Sequence, residues 1–344
     1  MSQLLEVDGL VKRFPIPGSQ KTVQAVNGVS FVIARGETLS LVGESGSGKT
    51  TIGRCVLGLI DPTGGEIRFN DRRMGRGRSI RSRELRGRIQ LVFQEPAESL
   101  DPRIPVGETL AEPLRYLGMN RADREKRARE VADHLGLSTR VLSLYPSELS
   151  AGLQQRIGIG RAVVTRPELI VLDEPTSALD PTARAEIVDL LIRLQGELGT
   201  AYLLISHDLS TVRFISHRVA VLYLGNIVEE AESETLFARP LHPYSVGLLA
   251  SVLLPDPALQ RTGDIKLEGE IPSPIDLPPG CALAGRCPFA DPRCQGERPP
   301  MVPVGDRHRV NCFHHERVAA LDRTTDQFAR FQEDANRLLS VGAG

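Results

Sequence analysis

TLSLVGESGSGKTTIGRCVLGLI, residues 38–60, decides the fold. A short apolar run reads as a buried strand, a glycine-rich turn follows, and a helix-like run closes the unit. GESGSGKTT, Gly43 to Thr51, matches the spacing G-x-x-x-x-G-K-[ST] in the strand–loop–helix setting that this motif requires. Gly43, Gly46 and Gly48 let the backbone N–H groups of the loop, with those of Glu44, Ser45 and Ser47, turn inward toward phosphate oxygens. The N-terminus of the following helix, at Lys49, Thr50 and Thr51, adds a dipole that favours an anion. Lys49 is placed to neutralise phosphate charge, and Thr50 to offer its hydroxyl to Mg²⁺. A chance glycine-rich turn would lack the flanking strand and helix.

Two further apolar runs extend this reading. LIVLDE (169–174) is a strand that delivers Asp173 to its end, where the carboxylate can hold Mg²⁺ through water. Glu174 beside it is placed to polarise an attacking water; the bland alternative is an acid pair that caps a helix. AYLLIS (201–206) is a third buried strand, with His207 directly after it. Ligands of open parallel sheets sit at the carboxyl ends of the strands, so His207 is expected to face the same γ-phosphate. QAVNGVSFVIARGE (24–37) and GGEIRFNDRRM (64–74) alternate and carry turn signals, which predicts an antiparallel β subdomain. From about 106 to 164 the pattern is helical, with Ala128, Val131, Ala132 and Leu135 on one face. Beyond about Glu230 proline becomes dense, which predicts a loop-rich appendix, and FARFQEDANRLL (328–339) has the spacing of a final amphipathic helix.

The 344 residues suffice for one large domain and a smaller one, and a formal charge of −1 gives no reason to expect nucleic acid or an anionic membrane as partner. The basic run RRMGRGRSIRSRELRGR (72–88) lacks interleaved aromatics and reads as a solvated loop. No export signal opens the chain, and YSVGLLASVLL (244–254) is too short to span a bilayer, so the cytosol is expected and any membrane role must run through a partner. Cys55 reads as an ordinary buried thiol. Cys281, Cys287, Cys294 and Cys312 gather in the proline-rich appendix, where disulfides are disfavoured in a reducing compartment. Four thiols suit zinc or an iron–sulfur cluster, four free thiols being the alternative; the absence of tight C-x-x-C spacing argues against zinc. His314 and His315 carry no ligand assignment.

In this order, the motifs resemble the ATP-binding subunit of ABC transporters over residues 4 to 235. The resemblance implies an α/β fold: a P-loop NTPase core of ABC type with an antiparallel β subdomain, a helical subdomain and a small C-terminal appendix. It implies ATP and Mg²⁺ as ligands, a Walker A motif at Gly43–Thr51 and a Walker B motif at Leu169–Glu174. Gln94 in LVFQEP is then the Q-loop glutamine, touching Mg²⁺ and the membrane-facing surface. LSAGL (149–153) is the signature, SALD (177–180) the D-loop with Asp180 at the dimer seam, and His207 the switch histidine. Phe14 resembles the aromatic that stacks on adenine, although a lone Phe after a strand is often core. Each nucleotide is expected between one subunit's Walker A loop and the other's signature, so Ser150, Ala151 and Gly152 serve the partner's ATP. The family's usual signature is L-S-G-G-Q; Ala151 and Leu153 depart from it, while Ser150 and Gly152 keep the donors at a helix N-terminus.

IQLVFQEPAESLDPRIPVGETLAEPL (89–114) and the segment from ARPLHPYSVGLLASV (238–252) through EGEIPSPIDLPPGCALAGRCPFADPRCQGERPP (268–300) resemble importers of di- and oligopeptides, whose relatives also import nickel chelates or glutathione. The branch implies a second ATPase subunit, two membrane permease subunits, an extracytoplasmic substrate-binding protein, a place on the cytoplasmic face of the membrane and a [4Fe–4S] cluster on the four cysteines. The expected division is an ATP-binding domain at 1–235, a C-terminal domain at 236–320 and a tail at 321–344. A soluble ABC ATPase acting on ribosomes or DNA is the competing class; such proteins carry two cores or a long coiled coil, and this chain has neither.

Overall fold

In the computed structural model, residues 3–74, 83–95, 99–250 and 265–321 are described. The strands in chain order are β1 (Gln3–Pro15), β2 (Thr22–Ala34), β3 (Thr38–Val42), β4 (Gly64–Phe69), β5 (Arg72–Arg73) and β6 (Ile89–Val92). They continue with β7 (Leu169–Asp173), β8 (Ala201–Ile205), β9 (Arg218–Tyr223), β10 (Asn226–Glu232), β11 (Val302–Gly305) and β12 (His308–Val310). β3 is buried along its whole length and lies parallel to β8 on one side and β9 on the other. β7 lies parallel to β8 and β6 parallel to β7. Apolar runs buried on both faces are what such a parallel core requires. Ile205 pairs with both Leu41 and Asp173, so the carboxyl ends of β3, β7 and β8 emerge together.

The alternating segments form a separate antiparallel sheet in the order β2-β1-β4-β5. Its apolar face, with Leu5, Val7, Phe31, Ile33, Ile67 and Phe69, packs in one core with Ile52, Cys55 and Val56 of the helix Lys49–Val56. The helical region comprises helices Val106–Tyr116, Arg121–His134 and Ala151–Val163. Ala128, Val131, Ala132 and Leu135 are buried, as their spacing requires. Gly160 lets these helices close: a Cβ there would stand 2.4 Å from Leu135 and 2.7 Å from Leu110.

The appendix does more than the loop-rich reading anticipates, because it continues the main sheet. β10 runs antiparallel to β9, β12 to β10 and β11 to β12, giving the order β11-β12-β10-β9-β3-β8-β7-β6. Buried ions hold this seam. Arg218 pairs with Glu37 at 3.0 Å and with Glu230, which also takes Arg309. Glu229, fully buried, accepts the N–H groups of Leu241 at 2.6 Å and His242 at 2.9 Å, and meets His308 Nε2 at 2.8 Å. The expected tail helix at 328–339 and residues 75–82 of the basic run lie outside the described residues. Among the described residues no helix is long and apolar enough to cross a membrane.

Glu229→Ala would leave two buried N–H donors and His308 without their acceptor. Because orphaned buried partners of a charge cost their full desolvation, a loss of about 3 kcal/mol is expected. Denaturant titration of the two proteins measures it.

Candidate functional site

The loop after β3 wraps one ammonium group. Lys49 Nζ donates to Gly43 O at 2.7 Å and Glu44 O at 3.0 Å, and it lies 3.4 Å from Ser47 Oγ. Lys49 is buried, and burial lowers its pKa, against which the nearby Glu174, Asp173 and Glu44 carboxylates pull upward. Gly48 has φ 104° and caps the helix Lys49–Val56; a Cβ on it would stand 2.4 Å from Ala25 O. At Gly43 a Cβ would meet Leu222 O at 2.2 Å. These two glycines are required by close backbone approach as well as by conformation.

The Thr50 hydroxyl donates to Asp173 Oδ1 at 3.3 Å, at the end of β7. Burial raises the Asp173 carboxyl pKa, with the Thr50 bond acting in the opposite direction. A hydroxyl and a carboxylate at this separation are hard oxygen donors, the set that suits Mg²⁺ beside phosphate oxygens. Glu174 has φ 48°, an uncommon conformation for a residue with a side chain, and its N–H donates to Ile205 O at 2.8 Å. That turn aims the Glu174 carboxylate at His207, whose Nδ1 lies 3.1 Å from Oε2. His207 is largely exposed while Glu174 is mostly covered, as befits a group that meets an arriving ligand and one that must be shielded. Lys49, Thr50, Asp173, Glu174 and His207 therefore converge at one sheet edge.

The remaining expected site residues stand apart from this cluster. Gln94 is exposed, two residues past β6, and no hydrogen bond among the described residues joins it to Asp173 or Glu174. Phe14 is 37% exposed near the end of β1, with Lys12 Nζ 4.9 Å from its ring centroid. Asp180 caps the helix Pro181–Leu198, accepting from the N–H groups of Thr182 and Ala183 at 3.0 Å each. Ser150 caps the helix Ala151–Val163 through a 3.4 Å bond from Leu153 N–H, with Ala151 exposed beside it. Leu153 packs against the large core, four residues before Ile157, so its departure from the usual glutamine adds an apolar contact. Gln154 braces the entry to that helix by donating to Pro146 O at 2.8 Å and Leu149 O at 3.1 Å. The outward-facing serine and helix end have no hydrogen bond to Gly43–Thr51 among the described residues.

Comparison with known proteins agrees with this geometry. A family model described as ABC transporter matches residues 26–177, and one described as oligopeptide/dipeptide transporter, C-terminal region, matches residues 228–294. A probable peptide ABC transporter ATP-binding protein of Sinorhizobium fredii is 46% identical over 323 residues, covering 92% of this chain and 91% of that protein. The chain belongs to the ABC transporter ATP-binding proteins. The oligopeptide transport ATP-binding protein OppF of Salmonella typhimurium is 43% identical, over 90% of this chain and 96% of that one. Among solved structures, a dimeric ATP-binding cassette bound to ADP and Pi aligns with a TM-score of 0.60 at 29% identity, covering 67% of this chain and 99% of that one. The fold is thus that of an ABC ATPase, with ATP as substrate and Mg²⁺ as its partner ion.

All four appendix cysteines line a single cavity, with Leu283, Pro299 and Phe313 among its walls. Burial raises every one of these thiol pKa values, Cys287 to about 11 and Cys312 to about 12. Cys281 N–H donates to Cys294 O at 2.8 Å, which ties the Cys281 loop to the short helix Pro292–Gly296. His314, given no role from sequence, lies with Asp291 and Cys294 so that one ligand atom from each falls within 4.8 Å of the others. Neither the spacing of His314 nor that of Asp291 would have signalled this, because the turn that joins them forms only in the folded appendix. Cys55 is buried and its thiol pushed up to about 11, as an inert core thiol should be.

Gly48→Ala forces a Cβ against the Ala25 carbonyl in a conformation that favours glycine. It should weaken ATP binding by more than about tenfold, since the loop N–H groups must move off the phosphates. Equilibrium titration with a fluorescent ATP analogue measures this.

Proposed function

We propose that this chain is the ATP-hydrolysing subunit of an importer of di- and oligopeptides, working on the cytoplasmic face of the membrane. The combination in one chain of the cluster Lys49, Thr50, Asp173, Glu174 and His207 with a match to the oligopeptide/dipeptide transporter C-terminal region carries the reading. The Gly43–Thr51 backbone and Lys49 cradle the ATP phosphates, and Phe14 offers a ring to the adenine. Thr50, Asp173 and Gln94 hold Mg²⁺ directly or through water. Glu174 takes the proton of the water that attacks the γ-phosphorus, and His207, held by Glu174, contacts the γ-phosphate as the bond to ADP breaks.

Ser150, Ala151 and Gly152 complete the site of a second ATPase subunit packed head to tail, with Asp180 at the seam. Two membrane permease subunits dock on the cleft beside β6 lined by Gln90, Glu112, Tyr116 and Arg161, where Tyr116 exposes 64% of its surface; Phe93, directly after β6, exposes 45%. Gln94 follows Phe93 directly, which gives the docked subunits mechanical access to the catalytic edge. A substrate-binding protein supplies cargo from the far side. We place the ATP-binding domain at 1–235, the C-terminal domain at 236–320 and the tail at 321–344.

The reading of an iron–sulfur cluster is supported by four soft thiols lining one cavity of the appendix, the donor type that such a cluster takes. Cys281, Cys287, Cys294 and Cys312 would hold a [4Fe–4S] cluster there as a structural staple for a segment with little apolar core.

Glu174→Gln in the assembled complex should retain ATP yet reduce turnover by more than about a hundredfold; full turnover would remove Glu174 as the base. Affinity capture from solubilised membranes should recover two polytopic permeases, and recovery of ribosomes or DNA in their place would overturn the importer reading. Cys281→Ser should lose the iron and brown colour of protein purified without oxygen, whereas iron-free wild-type protein would refute the cluster.

A further inference from the structure

The phosphate loop is held by more than its own strand and helix. Tyr244, on the helix Pro243–Ala250, is fully buried, and its hydroxyl accepts the Glu44 backbone N–H at 2.9 Å across 200 residues of sequence. The Tyr244 ring packs on that of Tyr223, at the end of β9, with centroids 4.6 Å apart. Arg286, from the loop that carries the cysteines, stands over the Tyr223 ring at 5.9 Å. Its Nη1 lies 3.4 Å from the Tyr223 hydroxyl and 3.6 Å from Glu44 Oε2. The Arg286 side chain is only 11% exposed, so solvent screens this pairing weakly.

Glu44 is therefore gripped twice by the appendix, through its main chain by Tyr244 and through its side chain by Arg286. It is the second residue of the loop, and whatever fixes it fixes the course of the N–H groups that follow. A phosphate cradle binds well only when those dipoles are already oriented, because orienting them on arrival costs affinity. Glu44 Oε2 and Arg286 Nε are both buried without a hydrogen-bond partner. Their attraction is thus ionic, without a directional bond to lock it, and it follows the position of the loop behind Arg286. That loop is tightly wound: Ala284 N–H donates to Cys281 O at 3.0 Å and Arg286 N–H to Leu283 O at 2.8 Å, and Cys287 comes next in the chain.

We infer that Tyr244 and Arg286 are positioning residues for the phosphate loop, through which the C-terminal appendix sets the ATP affinity of the core. The inference rests on the ATP-binding role of Gly43–Thr51 and is independent of the occupant of the four-thiol cavity. In the assembled complex, ATP-dependent turnover and titration with a fluorescent ATP analogue test it. Tyr244→Phe and Arg286→Ala should each raise KM and Kd about three- to tenfold, the worth of one such contact. Their kcat should stay within about twofold of wild type, since neither group touches the reacting atoms. Arg286→Lys should recover most of the affinity. Wild-type KM in both variants, or a fall in kcat at unchanged KM, overturns the inference, and so does a lysine variant as poor as the alanine one. Should Tyr244→Phe fail to fold, the two Arg286 variants decide alone. Lys49→Ala separates the two levels: normal analogue binding by that variant sinks the ATP reading itself, whereas its loss beside normal binding in the Tyr244 and Arg286 variants sinks only the positioning role.

Discussion

Lys49 carries an ammonium group into a region largely closed to water, where burial alone would favour its neutral form. Two loop carbonyls and the carboxylates of Glu174, Asp173 and Glu44 offset that cost. Those groups come from two pieces of the fold: the turn after β3, itself braced from the C-terminal appendix through Glu44, and the end of β7. β3 and β7 end at the same level on either side of β8, where Ile205 pairs with both Leu41 and Asp173, and this puts the Asp173 carboxylate within reach of the lysine. The same crowding of charge makes the site receptive to a polyphosphate and a divalent cation, whose charges complete a cluster that the protein leaves open.

The appendix shares the energetics of the core. Extending the sheet through β12 and β11 brings charged groups into the seam, and buried ions stabilise only where every partner is met. Glu229 illustrates the rule, with three partners and no exposure. Arg218 does the same from the other strand by pairing with Glu37 and Glu230. A seam of this kind is intolerant of partial opening, since separating β10 from β12 would strip Glu229 and Glu230 of partners together. The appendix is thereby fixed to β9 and β10, which is what allows Tyr244 and Arg286 to act on the phosphate loop with defined geometry.

Much of this was legible because it is local. The strand–loop–helix unit at 38–60 and the acid pair at the end of β7 are read from spacing over a few residues, and the amphipathic helix at 121–134 from its periodicity. Asp180 caps the helix Pro181–Leu198, and Leu153 packs on the core in register with Ile157, contacts that the motif spacing alone does not show. What the sequence hid is long-range. Strands as short as His308–Val310 carry no periodic signal, and the contacts of Tyr244 and Arg286 with Glu44 join segments 200 or more positions apart. His314 reaches Asp291 and Cys294 only through the folded appendix, so no spacing rule marks it.

The signature helix poses the remaining structural question, and its chemistry answers in one direction. Ser150 and the first turn of the helix Ala151–Val163 present a hydroxyl and a helix dipole to solvent, on a subdomain braced by Gln154 and by the packing of Leu153. Among the described residues the Ser150 oxygen has only the 3.4 Å bond from Leu153 N–H, at the long end for such a contact, so it is readily turned toward a stronger partner. The methyl of Ala151 lies outside on the exposed end and leaves its N–H in place. Within the proposed head-to-tail pair, a phosphate brought by the second subunit is such a partner, and it carries the charge that a helix N-terminus favours. Of the two departures from the usual signature, Ala151 is exposed beside the donors and Leu153 packs on the core behind them.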